Sequence, residues 1–189
     1  MDYPFTSIGQ QVIPQVNEAA FQHVVDTYAS ETNKLISIWR TFSDEDPLFR
    51  PHSKSSTVGD IFKHELLSGR RFFGEFLKRP EPDASLVLPP AMRVEACCER
   101  MLALAHRRLD FLASRTEEWW LADAPFFDVT RQRIWIFWRR VLHAAHHRSQ
   151  LTVYLRLLEK DVPPTYGPTA DVSWSGADPT HTVEAAKRR

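Results

Sequence analysis

The feature that most constrains this chain is an unbroken helical pattern over residues 130–160, free of Gly and Pro, that carries His143 and His147 four residues apart. On a helix this spacing sets both imidazoles on one face, one turn apart, with Cβ atoms about 6 Å from each other. Two rings so placed can take adjacent corners of one metal ion. The pair alone is a weak signal, because 8 His in 189 residues give about one third of a His-x-x-x-His pair by chance. Its setting says more. The stripe reads Ile136, Arg140, His143, His147, Gln150, Tyr154 and Leu158, apolar at both ends and polar in the middle. A plain core helix would carry Leu or Ile there. Polar groups in such a place need partners, so either a metal ion supplies them or the histidines are satisfied by core neighbours.

The remaining pattern is all-α and predicts a four-helix bundle. A lead-in over residues 1–16 precedes a first helix over 17–42, with Phe21, Tyr28, Leu35 and Phe42 every seven residues. His23 shares the opposite side with Thr27, Ser30 and Lys34, which makes it a surface histidine. After a loop over 43–56, which contains His52, Thr57 and Asp60 outline a capping box for a second helix ending before Pro80. His64 lies in its second turn, between Ile61 and Leu67. A Pro-rich linker over 80–90 leads to a third helix over 91–114, with His106 at its core edge. An aromatic loop over 119–127 follows, and Asp128 is the expected N-cap of the fourth helix. Ile134 to Trp138 is apolar on every side, so that part should be enclosed by other helices or a second subunit. Beyond Pro163 and Pro164 regular structure should stop, with Tyr166 and Trp174 available to pack back on the bundle. The expected division is a domain over 1–170 and an irregular tail over 171–189, with no convincing strand.

Composition narrows the function classes. Acidic and basic residues balance at 24 each, giving no general electrostatic reason for nucleic acid or an anionic membrane as partner. The longest dense apolar run is the five residues 134–138, far short of the roughly 20 needed to span a bilayer. The start has no basic and apolar leader pattern. Cys97 and Cys98 are adjacent, cannot staple distant segments, and suit a reduced, cytoplasmic setting.

Two histidines need at least one more donor. His23, His52, His106 and His181 have poor contexts, and His146 points 60–100° away from the pair. Elimination leaves His64. Asp60, one turn before it, is a candidate to orient it, though capping explains Asp60 equally well. Gln150 and Tyr154 continue the ligand stripe. Glu65, 100° round from His64, is expected to pair with solvent or Arg.

His143-x-x-x-His147-Arg148-Ser149-Gln150, followed by Tyr154, Pro163, Pro164, Tyr166 and Gly167, resembles the end of DinB/YfiT-like proteins, whose usual form is His-x-x-x-His-Arg-Gly-Gln with a downstream Pro and Tyr-Gly. Thr57, Val58 and Gly59 leading to His64 and Glu65, then Arg71, Phe72 and Phe73, resemble the family's first ligand helix. The resemblance spans about residues 15–170. It implies a four-helix bundle of unusual connection order, often a homodimer, with a divalent metal on His64, His143 and His147. Ser149 replaces the common Gly, a small-for-small change.

Three neutral imidazoles leave the charge of the ion intact and a coordination position open, as in a catalytic site. Imidazole suits Zn, Ni, Fe and Cu alike. The open position can activate water for hydrolysis or hold a sulfur nucleophile as thiolate. The resemblance favours a transferase that adds a low-molecular-weight thiol to a small electrophile, with a hydrolase or a non-catalytic metal-binding stress protein as alternatives. No residue stands out as general base, so the catalytic residues are unassigned.

Overall fold

The structure, a computed structural model, describes residues 6–167 and 169–171. It is mostly helical. Among the described residues the helices are α1 (Gln22–Trp39), α2 (Val58–Arg71), α3 (Ala84–Val87), α4 (Val94–Ala113), α5 (Glu117–Leu121) and α6 (Arg133–Leu157). An antiparallel hairpin, β1 (Asp123–Phe126) and β2 (Val129–Gln132), pairs Phe126 with Val129 across a two-residue turn. The hairpin corrects the expected aromatic loop. Asp128 sits in its turn, and the N-cap of α6 is Gln132, without a side-chain cap. Strand β2 is exposed along its length, so no inward-facing apolar alternation marked it in the sequence.

The predicted helices are present with shifted ends. Helix α1 begins at Gln22 after a 3₁₀ turn, Ala19–Phe21, and α4 begins at Val94. The Thr57–Asp60 capping box forms: Thr57 Oγ accepts from Asp60 N at 3.0 Å, and the Asp60 carboxylate accepts from Thr57 N at 3.1 Å. The end of α2 widens into a π-helical turn, Phe72–Phe76, closed by a bond from Leu77 N to Phe72 O. This extra winding turns Phe72, Phe73 and Phe76 inward together, where all three are buried. The linker is not featureless; it holds α3 and is pinned by Glu81, which pairs with buried Arg108 at 2.8 Å.

Helix α1 packs mainly on α4 and α6, and α2 on α6. Apolar side chains gather in two clusters. One holds Phe73, Phe76, Trp120 and Phe137; the other holds Trp39, Phe62, Leu66, Leu151 and Leu155. Between them lies a layer of buried charge: Glu31, Lys34, Glu65, Arg108, Arg140 and Arg148. Gly69 makes this layer fit, since a Cβ there would stand 3.0 Å from Arg108 Nη1 and 3.4 Å from Arg140 Nη2. Lys34 is buried, contrary to its expected surface position. Tyr166 covers it, with Nζ 4.1 Å from the ring centroid, while His23 remains exposed. Tyr166 packs back as anticipated; Trp174 and His181, like most of the tail, lie outside the described residues. Ile136 and Phe137 are buried, but Trp135 is 42% exposed, so the apolar run is not enclosed on every side. No helix among the described residues is long and apolar enough to cross a membrane.

Candidate metal centre

The antiparallel packing of α2 on α6 brings His64 to His143 and His147 across 79 residues of sequence. The ring centroids stand 5.0 Å apart for His64 and His143, and 4.7 Å for each of the other two pairs. His64 Nε2 faces His143 Nε2 at 3.1 Å. With metal–nitrogen bonds of about 2.0–2.1 Å, two ligand nitrogens are about 2.9 Å apart at a right angle and about 3.3 Å apart at the tetrahedral angle. The observed spacing lies between these, so His64 and His143 are set at the separation of two ligands on one ion. Candidate donor atoms of His64, Glu65, His143 and His147 all lie within 4.8 Å of one another.

Two of the rings are held by their other nitrogen. The Ser56 carbonyl can only accept, so Tyr154 donates its hydroxyl proton to it at 3.0 Å. That hydroxyl must then accept from Gln150, and Gln150 Nε2 is 2.9 Å away. Gln150 therefore turns Oε1 toward His147 Nδ1, 3.2 Å distant, and Nδ1 carries the proton. The lone pair of His147 is thus left on Nε2. A backbone carbonyl on the loop before α2 sets the tautomer of a ring on α6.

His143 has two consistent arrangements. Its Nδ1 is 3.0 Å from Arg140 Nη1 and 3.1 Å from Glu65 Oε1. Either Nδ1 accepts from Arg140 and Nε2–H donates to His64, or Nδ1–H donates to Glu65 and Nε2 is free to coordinate. Only the second is compatible with a metal on Nε2, and it is the carboxylate–histidine pairing that orients metal ligands elsewhere.

Glu65 is 0% exposed and its carboxylate meets Arg140 at 3.0 Å. Burial alone would raise its pKa, but Arg140 and His143 outweigh burial and hold it at about 2. With both oxygens committed, Glu65 is an anchor rather than a proton carrier. Its importance was missed from sequence. The available signal was its place beside Phe62, Leu66 and Gly69 on the buried side of α2, opposite an Arg in the ligand stripe. The pKa values of His64 and His147 are both lowered, first by burial, and then for His64 by its neighbour His143. Both are therefore favoured in the neutral, coordinating form. Asp60 spends its carboxylate on the helix cap. His146 is exposed on the flank, while His52 and His106 lie away from the cluster.

The sequence pattern of the DinB family matches residues 15–176. The chain belongs to the DinB family. Its fold is similar to that of a DinB-like protein from Bacillus cereus ATCC 10987, with a TM-score of 0.65 and 16% identity over 76% of this chain and 95% of the other. A DinB-like protein from Bacillus subtilis, YjoA, gives a TM-score of 0.54 and 19% identity over 76% and 96%. At these identities the likeness concerns the fold. No curated protein matches the chain.

Proposed function

We propose that this DinB protein is a divalent-metal-dependent enzyme with a three-histidine site, transferring a low-molecular-weight thiol to an electrophilic substrate. The observation that supports this reading is the convergence of three imidazoles, with one ring nitrogen of each within 4.8 Å of the others, at an edge of the fold where His64 is exposed and His143 and His147 half-buried. Among the described residues the only other candidate donor in the cluster is Glu65, which is buried behind His143 and paired with Arg140. His64, His143 and His147 would hold the ion, of which Zn, Ni and Fe all suit imidazole. A bound divalent ion supplies Lewis acidity and lowers the pKa of a thiol or water beside it.

The protein's own groups favour the thiol. A thiol loses its proton at about 8.5 and water at about 15.7, and no uncommitted carboxylate lies in the cluster to help the harder deprotonation. His64 and His147 are favoured in the neutral form; Gln150 keeps His147 in the coordinating tautomer, and Glu65 is placed to accept from His143 Nδ1 and leave its Nε2 to a metal. In the transfer, the sulfur forms a new bond to the electrophilic carbon, the thiol proton passes to solvent, and the leaving group departs with its electron pair. Elemental analysis of the purified chain should find close to one transition metal per chain, lost in His147→Ala. Consumption of thiol should then depend on that metal when electrophiles are supplied. Equal, trace metal in both proteins would refute the site, and ester cleavage without added thiol would move the assignment to a hydrolase.

A further inference from the structure

Two buried arginines hold α6 against its neighbours. Arg140 touches His143 and pairs with Glu65 of α2 at 3.0 Å. Arg148 immediately follows His147, is 2% exposed, and gives Nη1 to Glu31 of α1 at 2.6 Å. The Glu31 carboxylate also takes Lys34 at 2.6 Å, so it serves two buried cations. A third partner comes from beyond the helix. Tyr166 accepts from Arg148 Nη2 at 2.6 Å and donates its hydroxyl proton to Glu31 Oε2 at 2.7 Å, which closes a ring of three hydrogen bonds. Its ring centroid also stands 4.1 Å from Lys34 Nζ and 4.8 Å from the Arg148 guanidinium carbon.

The end of α6 turns the chain so that this residue comes back. Glu159 has φ 57°, and bonds run from Glu159 N to Arg156 O and from Lys160 N to Leu155 O, the Schellman arrangement that closes a helix. Asp171 then ties the returning segment to the helix. Its carboxylate accepts from Arg156 at 2.9 and 2.7 Å and from Val162 N at 2.9 Å. Tyr166 lies between Val162 and Asp171. It is 59% exposed, yet its hydroxyl is spent on two buried groups.

We propose that Tyr166 is a positioning residue for the metal centre, acting through Arg148 on the orientation of His147. The inference rests on the three-histidine reading and adds a residue to it. Side chains reach about 5–6 Å from a helix axis, so turning α6 by about 10° carries a ligand ring about 1 Å. Metal–ligand distances hold to about 0.2 Å, which leaves α6 only a few degrees of rotation. Arg140 sets that rotation beside His143 by direct contact. Arg148 sets it beside His147 from the α1 side, with a carboxylate that it shares with Lys34. Without the Tyr166 hydroxyl, Arg148 Nη2 and Glu31 Oε2 each lose a partner while staying buried, and the hold on this turn of α6 slackens.

The test titrates the full chain, freed of metal, with Co²⁺ alone, against a chromophoric chelator and with the visible absorption of the bound ion recorded. Tyr166→Phe keeps the ring over both cations and removes the hydroxyl. It should bind Co²⁺ about tenfold more weakly than wild type, and its visible bands should change because they report ligand geometry. Circular dichroism should show the metal-free variant folded at the titration temperature, so that the loss belongs to the folded site. Asp171→Asn, an exposed substitution that loosens the returning segment and leaves Tyr166 in place, should shift affinity and bands in the same direction. It carries the decision if Tyr166→Phe does not fold. A lowered thermal midpoint in chelator with wild-type affinity and bands would mean a role in stability alone and would overturn the inference, as would variants identical to wild type in every reading. A wild type that binds no Co²⁺ sinks the three-histidine reading and this inference with it; stoichiometric Co²⁺ bound alike by wild type and variants sinks this inference alone.

Discussion

Replacing Glu65 with Gln removes one negative charge from the most enclosed part of the site while keeping the shape of the side chain. Glu65 is 0% exposed and Arg140 6%, joined at 3.0 and 3.4 Å, and Glu65 also lies 3.1 Å from His143 Nδ1. Taking one member from a buried pair costs about 3–5 kcal/mol, because the remaining charge stays buried without its counterion. Gln retains one acceptor oxygen, and Arg140 keeps its 3.2 Å bond to the Glu65 carbonyl, so the lower end, about 3 kcal/mol, is expected. For a chain of this size, about 2–4 °C per kcal/mol turns this into a fall of roughly 6–12 °C in midpoint. Metal affinity should fall about 10–100-fold, since the carboxylate that holds the His143 tautomer is lost. Thermal melts in chelator isolate the packing effect, because bound metal stabilises by mass action. A competition titration with a chromophoric chelator then measures affinity. A midpoint within about 2 °C of wild type in chelator, together with unchanged metal affinity, would refute the argument that Glu65 anchors both Arg140 and His143.

Three further outcomes are expected. Gly69→Ala should destabilise the chain by about 1–2 kcal/mol in urea melts, because the added methyl meets two guanidiniums held in place by Glu81 and Glu65, outweighing Ala's helical preference. The Glu31 pKa is lowered although burial alone would raise it, because Arg148 and Lys34 outweigh burial. A carboxylate depressed in the folded state contributes stability that is present above its unfolded value of 4.5 and lost as pH falls through the folded one. The acid limb of the urea midpoint, followed in chelator, should therefore be shallower in Glu31→Gln; an unchanged slope would show that Glu31 is not among the linked groups. Burial pushes the Cys97 thiol up to about 11 and Cys98 to about 12, so a thiol reagent should label neither in the folded protein and both in urea.

Much of the site was legible because helical periodicity is local. The spacing of His143 and His147 fixes their shared face whatever surrounds them, and Gln150 and Tyr154 continue it, so the arrangement of α6 follows from sequence. The capping box at Thr57 and Asp60 is likewise a contact within four residues. Glu65 was not legible as an anchor, because its role depends on Arg140, 75 residues away. The same holds for Lys34, a polar residue on an apparent surface stripe until Tyr166 folds over it.

The hairpin marks the same boundary from the other side. Its strands are four residues each, β2 is exposed along its length, and its turn uses Phe127 where a turn signal would be Gly or Asn. What the sequence alone determined is which side chains share a helical face, since that depends only on a fixed rotation per residue. What the tertiary structure decided is which faces meet: His64 with the pair on α6, and one carbonyl with a histidine tautomer. Those encounters depend on packing between segments far apart in the chain, and no local period encodes them.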